Sequence, residues 1–387
     1  MHIDQLPDDC FLYIFNLFNT FGTLLSCAAG KYICERWKYL VLERLNNVKY
    51  LTDSLERDCY PASYTMFFED AKLQYANYIK CKIIKFIFLK ILDVERKLDN
   101  DFISNVKVKG LQFKCDYYID LEDVTCHNPS LEMLAIKQLS DFFANEIQGP
   151  IMKQLFVTSC SVSEFASYAK YFPNLKRLHI QKYGSFLFDD EFYAGPVLEK
   201  LEILEICFHL EQNGQLDHYH GFSLADHCPA LKSAFHYIQT DREFFVNSGI
   251  KNHFLQDLVL QFHEHQNWSV LRRILSKYPN LKHLAIRGNS DISDKNIPEL
   301  LELLPCITLI DIRYSLKVTE KSTEYIDRYC RRRNRSISFY YQKRPKITKK
   351  WPHLSTKSVR IGRGFDFMKY CFLRHYDDLP LLLDPDE

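Results

Sequence analysis

A chain of 387 residues with 50 Lys+Arg against 49 Asp+Glu, 47% hydrophobic and 14% aromatic, is far too apolar for a disordered protein and long enough for two to three domains around a large core. Thirteen cysteines without a CxxC pair, and an N-terminus, MHIDQLPDDC, that is acidic where a secretory leader is basic and then apolar, predict a reducing compartment. The most apolar run, Ile83 to Leu92, is interrupted by Lys85 and Lys90 and falls short of the ~20 apolar residues of a membrane span. No membrane partner is expected, and the location is read as cytoplasmic, nuclear or both.

The first element in chain order is a helix opening at Leu6-Pro7-Asp8-Asp9, with proline near the first helical position and two carboxylates at the positive helix end. Phe11, Ile14, Phe15 and Phe18 then make one apolar stripe. Thr23 to Ala29 reads as a second short helix broken at Gly30, and Ile33 to Leu40 as a third. So small a module buries too little surface to be comfortable alone and should want a partner. Residues 46–102 are expected to hold linking helices and first, irregular repeats.

From residue 103 to 340 a phrase P-x-[apolar]-x-x-[apolar]-x-[apolar] recurs, with first apolar positions Leu131, Met152, Leu175, Leu281 and Ile307. Relaxed copies start at Ile103, Leu198, Leu231 and Leu255, an earlier one is read at Ile83, and the steps from Ile103 onward run from 21 to 33 residues. Each triplet ends on a two-residue alternation, the signature of a short strand. Helical spacing follows in Ile297 to Leu304, with Asp294 as N-cap and Pro298 in the first turn. Such units bury their apolar faces only by stacking into a solenoid whose parallel strands line the concave side. Strand residues alternating with the core triplet face that side, and arginine and aromatic side chains dominate binding hot spots. The candidate substrate-binding residues are Arg177, His179, Tyr237, His283, Arg287 and Arg313.

The near-zero net charge is a cancellation: residues 328–363 hold thirteen Lys or Arg and no acid, leaving 37 basic against 49 acidic residues elsewhere. That segment reads as a solvated end, an import signal or an anionic-ligand patch, and Tyr340, Tyr341 and Trp351 interleave with it as single-stranded nucleic-acid binding would require. Residues 341–387 form a basic, then apolar and acidic, C-terminal cap or tail, with Phe365 to Leu383 folding back on the solenoid. No P-loop, GxGxxG, GxSxG or paired-carboxylate motif occurs, which agrees with the expectation, set out below with the family resemblance, of no catalytic residue and no cofactor. The HxH pairs His218-Tyr219-His220 and His263-Glu264-His265 lack companion ligands and are read as solvated loop histidines, with no metal site. Cys160 and Cys228 are read as small buried apolar residues.

The stretch Leu281 to Ile307, LKHLAIRGNSDISDKNIPELLELLPCI, resembles the cysteine-containing leucine-rich repeat. Asn289 stands in the Cys/Asn slot and Ile292-Ser293-Asp294 follow, while Cys160 fills that slot earlier and Leu139, Tyr183 and Ile206 depart from it. Residues 1–45 resemble the F-box through Leu6, Pro7, Ile14, Phe15, Phe18, Leu24, Leu25, Cys34, Trp37 and Leu40, with an inserted Gly30-Lys31-Tyr32. The two resemblances imply an α/β fold: a right-handed α/β leucine-rich-repeat solenoid, or horseshoe, preceded by a small all-helical F-box. They imply a non-catalytic substrate-recognition subunit of a Skp–cullin–F-box type ubiquitin-protein ligase. Its ten F-box residues would dock on a Skp-type adaptor and, through it, on cullin and RING subunits. Its concave face would hold an unidentified protein substrate. The alternative is a non-ligase repeat scaffold binding an acidic protein or nucleic acid through the concave face and the basic segment.

Overall fold

The computed structural model describes residues 5–18, 20, 23–24, 26–27, 34–52, 65–67, 91–94, 108–113, 131–139, 151–184, 192–210, 218–239, 243–313, 315–341 and 366–383. The chain divides into two compact units, Met1–Ile147 and Gln148–Glu387. Among the described residues no helix is long and apolar enough to cross a membrane.

In the first unit, helices α1 (Asp8–Leu17) and α2 (Glu35–Asn46) precede strands β1 (Tyr50–Thr52), β2 (Thr65–Phe67), β3 (Ile91–Val94), β4 (Gly110–Phe113) and β5 (Met133–Ile136). These strands form a parallel array in the order β2-β1-β3-β4-β5. Three strands lie in the stretch where linking helices and first, irregular repeats were expected, and the apolar step already begins at Val48 and Leu51, both buried. The proposed repeat starts Ile83 and Ile103 lie outside the described residues. The step matching β4 is instead Val108 followed by Leu111, both buried, with Leu111 paired to Leu134.

The second unit alternates strand and helix: β6 (Gln154–Val157), α3 (Val162–Tyr168), β7 (Arg177–Gly184), β8 (Ile203–Leu210), β9 (His218–Tyr219), α4 (Gly221–Asp226), β10 (Ser233–Ile238), β11 (Glu243–Phe244) and β12 (Asp257–Gln266). Then follow α5 (Trp268–Leu275), β13 (His283–Ser290), α6 (Ile297–Leu303), β14 (Leu309–Ile312), α7 (Glu320–Arg333), β15 (Ser338–Tyr341) and α8 (Phe367–Tyr370). Eight of these strands make an open parallel sheet in chain order, β6-β7-β8-β10-β12-β13-β14-β15, and β9 pairs only with β11. The α/β class expected from the alternation is the class observed.

Strand register follows from the apolar triplets. Leu178, Leu204, Ala234, Leu258, Leu284 and Ile310 lie opposite one another in successive strands and all are buried. One backbone device recurs along the sheet: two successive N–H groups at a strand's start donate to a single carbonyl at the start of the preceding strand. Arg177 and Lys176 donate to Lys153 O, Ser233 and Lys232 to Glu202 O, His283 and Lys282 to Gln256 O, and Leu309 and Thr308 to Lys282 O, at 2.7 to 3.0 Å. One expected triplet is out of register. Leu198, Leu201 and Ile203 were read as core, but the structure uses Leu201, Leu204 and Ile206, so Ile203, Glu205 and Cys207 join the sheet face that carries Arg177, His179 and Gln181.

The helices start where local capping chemistry allows. Ser161 and Glu164 cap α3 reciprocally, Glu164 N–H donating to Ser161 Oγ at 2.9 Å, and Asn267 Oδ1 accepts from Val270 N–H at 3.1 Å at the start of α5. Asp294, expected to cap its own helix, instead accepts from Thr319 N–H, Thr319 Oγ1 and Ser322 Oγ at 2.8, 2.7 and 2.5 Å, and so fixes the start of the next helix, α7. Gly288 has φ +79°, and a Cβ there would meet Phe262 O at 1.7 Å, so only glycine fits between β12 and β13.

One triplet position is polar. His236, wholly buried in β10, has Nδ1 2.6 Å from Tyr219 Oη, and burial lowers its pKa from 6.5 to about 3. The unfolded chain binds a proton there that the fold excludes, so its contribution is complete above pH 6.5 and falls as pH drops towards 3. The expected slope is up to about 1.4 kcal/mol per pH unit. Urea midpoints should fall between pH 7 and 4, and less steeply for His236→Gln; parallel slopes for the two proteins would refute this.

Candidate interaction surfaces

The N-terminal helices meet through aromatic rings. Phe11 and Phe15 of α1 lie 5.1 and 6.0 Å from Trp37 of α2, centroid to centroid, in tilted and edge-on geometries. Arg36 closes the pair: it lies over the Phe11 ring at 5.1 Å, donates to Leu6 O at 2.6 Å, and pairs with Asp8 at 2.5 Å. Of the ten candidate adaptor residues, Phe15, Leu24 and Leu40 are buried, Leu6, Ile14, Phe18 and Trp37 are half-buried, and Pro7 and Cys34 are exposed. Leu25 and the insertion Gly30-Lys31-Tyr32 lie outside the described residues. Buried members of such a pattern shape a surface from beneath. The surface itself includes Tyr13 and Leu17, one helical turn apart on α1 and 68% and 65% exposed, and Tyr39 of α2, 67% exposed, none of which the sequence pattern nominated. Their signal was available: an aromatic residue and a leucine four apart, off the buried stripe.

In the second unit, the sheet face carrying the candidate substrate residues is covered by the chain's own residues 366–383. Ile203, Cys207, Phe235, Tyr237, Val259, Ala285 and Leu309 on the sheet form one apolar core with Phe367, Met368, Tyr370, Cys371, Phe372, Tyr376, Leu379 and Leu383. The segment crosses the strands in reverse chain order. Arg287 of β13 donates to Phe372 O and Arg374 O, Tyr237 of β10 stacks on Tyr376 at 3.8 Å, Arg177 of β7 reaches Pro380 and Leu381, and Gln154 of β6 exchanges two hydrogen bonds with Leu383. Five strand steps are about 24 Å at ~4.8 Å each, which the chain from 372 to 383 spans without full extension.

Arg177 is the anchor. Its side chain is wholly buried, and all five N–H donors are used: Nε and Nη2 bind Glu205 Oε2 at 2.8 and 2.6 Å, Nη1 binds Gln154 Oε1 at 2.5 Å and Leu381 O at 3.0 Å, and Nη2 also binds Pro380 O at 2.6 Å. Burial pushes the Glu205 carboxyl above the ordinary carboxylate range, and the Arg177 charge opposes that rise. His179, also buried, sits edge-on to Phe156 at 4.6 Å with Nδ1 3.6 Å from Glu205 Oε2. His283 Nδ1 meets Asp257 Oδ1 at 2.6 Å, and Ser233 Oγ donates to the other Asp257 oxygen at 2.6 Å. Arg313 binds Asp311 through Nε and Nη2 at 2.8 and 2.9 Å. Arg177, His179, Tyr237 and Arg287 are therefore buried rather than presented to solvent, and Arg313 is half-exposed against a carboxylate.

Glu205 escaped the sequence reading because the Leu198 register left it unassigned; reading Leu201-x-x-Leu204-x-Ile206 places it beside Arg177. The HxH pairs also differ from expectation. His218-Tyr219 is strand β9, with Tyr219 and His220 buried and the Phe192 ring 4.4 Å from His220, while His263 and His265 sit exposed on β12. Cys160 and Cys228 are buried. Tyr341 is buried and Tyr340, half-buried, packs against the apolar core beneath 366–383; Trp351 lies outside the described residues. A scan against protein-family models finds no match, and a search of curated proteins finds none either.

Proposed function

We propose that this chain is the non-catalytic substrate-recognition subunit of a Skp–cullin–F-box type ubiquitin-protein ligase: a leucine-rich-repeat solenoid with an F-box-like N-terminal module that docks on a Skp-type adaptor. The observation that carries the reading is the N-terminal helix pair, whose aromatic core leaves Tyr13, Leu17 and Tyr39 in water. Adjacent exposed apolar side chains, as Tyr13 and Leu17 are one turn apart on α1, support docking where scattered ones would not, and the parallel strands that follow support a repeat body of the kind such a receptor uses. The sheet-face residues first read as substrate contacts enter this proposal with a condition: a substrate that touches Arg177, Tyr237 or Arg287 has to displace residues 366–383.

Because Tyr13 and Leu17 are exposed, replacing them leaves the fold intact. Tyr13→Asp/Leu17→Asp should abolish retention of a Skp-type adaptor in pull-down of the full chain, an effect of at least about 2 kcal/mol for two interface anchors, with an unchanged unfolding midpoint. Equal adaptor retention by parent and variant, or retention by neither, ends this reading.

A further inference from the structure

A surface not used above lies between α6 and α7. There a groove of about 660 Å³ falls within the ~300–1,000 Å³ typical of ligand sites. Leu301 and Pro305 line it from the α6 side, and Tyr325, Arg328, Tyr329 and Arg332 line it from α7. Those four lie at spacings of three, four and seven along α7, hence on one helical face. Arg333 and Arg335, at and beyond the helix end, complete the lining, against a single acid, Glu302.

Some cations of the neighbouring elements are matched by a carboxylate: Arg272 with Glu299 at 2.6 Å, Arg313 with Asp311 at 2.8 Å, and Lys317 with Asp291. Others, such as Arg273 and Arg331, donate to backbone carbonyls, and the groove arginines belong with these. Among the described residues none of the four has an acidic partner; Arg328 donates to Glu324 O at 3.3 Å and Arg335 to Ile307 O at 2.6 Å, both carbonyls. Arg335 is thereby held at the groove wall, and the left-handed Asn334 that ends α7 (φ 48°) turns the chain to place it there. Four unmatched guanidinium groups around an apolar floor suit carboxylates and an apolar side chain presented together.

We propose that this groove docks an acidic peptide segment of a partner protein, its carboxylates on Arg328, Arg332, Arg333 and Arg335 and an apolar side chain between Leu301, Pro305 and the two tyrosines. A single-stranded nucleic acid fits less well, because it needs open aromatic faces to stack on and both tyrosines are half-buried. The site does not depend on the ligase reading.

The test is fluorescence anisotropy of the full chain with a labelled peptide of glutamates around a central Leu-Phe pair. Arg328→Glu/Arg332→Glu, both at exposed positions, should weaken binding by at least about 100-fold, roughly tenfold for each lost charge-assisted contact, with an unchanged unfolding midpoint. Glu302→Gln should tighten it by about two- to threefold, and glutamine in place of glutamate in the peptide should abolish it. Tyr13→Asp/Leu17→Asp should bind the peptide like the parent, so failure at the adaptor surface and failure here read out separately. The proposal is overturned if the double reversal has no effect, if Lys170→Glu/Lys200→Glu, at exposed positions that do not line the groove, weakens binding as much, or if a single-stranded oligonucleotide of equal charge binds more tightly with the same dependence on Arg328 and Arg332.

Discussion

Arg177→Ala should destabilise the second unit by about 3–5 kcal/mol, the range for breaking a buried ion pair by removing one partner. The Glu205 carboxylate would lose its cation in a site that already disfavours its charge, and the Pro380 and Leu381 carbonyls would lose their donor. Burial would then be opposed only by the weaker Cys371 hydrogen bond, so the Glu205 pKa would rise further and uptake of a proton would relieve the unpaired charge. The deficit relative to the parent should therefore shrink as pH falls from 7 to 5. Arg177→Met/Glu205→Met should cost less than Arg177→Ala alone, since no charge is left unpaired. Urea unfolding at the two pH values measures all three. A single variant within about 1 kcal/mol of the parent would show that the buried network contributes little.

Phe372→Ala should cost about 3–5 kcal/mol, as for other fully buried aromatic truncations. Its ring lies in the core shared by the sheet and residues 366–383, 6.4 Å from His283 and edge-on to it. Because that segment is one continuous stretch of chain, the loss can appear as local opening before global unfolding. Limited proteolysis should cut the variant within 366–383 faster than the parent under native conditions, and an environment-sensitive hydrophobic dye should bind the uncovered Phe235, Val259 and Leu309 face. Unchanged proteolysis together with an unchanged midpoint would mean that the ring adds nothing to closure.

Both outcomes bear on function. The sheet face rich in arginine, histidine and tyrosine looks like a binding surface when strands are read alone, and its side chains do bind, but their ligand is the chain's own C-terminal segment. Under the proposed receptor function, tightness of that segment sets how readily a substrate reaches the face. The Arg328 to Arg335 groove lies outside this core.

Much of the fold was legible because a parallel strand with a buried face needs apolar residues at fixed offsets, and Leu281-x-x-Leu284-x-Ile286 has no other economical use. The apolar stripe of α1 was legible likewise, because Phe11 and Phe15 lie one turn apart; that Trp37 of α2 is the ring that covers them emerged only in the structure. Register failed where leucines crowd. In Leu198-Glu199-Lys200-Leu201-Glu202-Ile203-Leu204-Glu205-Ile206 two offsets satisfy the same pattern, and only pairing with β7 and β10 chooses between them. Asp294 misled for a related reason: a carboxylate ahead of a helix serves as a cap only if no better donors arrive, and Thr319 and Ser322 do.

The sequence by itself determined the α/β class, the strand periodicity, the amphipathic α1 and the basic segment 328–363, because each depends on neighbours within a few residues. The sequence also led us to expect residues 365–383 to fold back as a cap; tertiary structure alone decided which strands they cross and in what order, that Arg177 spends every donor on Glu205, Gln154 and two distant carbonyls, and that among the described residues four arginines near the end of α7 have no carboxylate partner. Those outcomes join residues up to 229 positions apart. Periodicity specifies which side of a strand a side chain leaves by, and it carries no information about which remote segment arrives there.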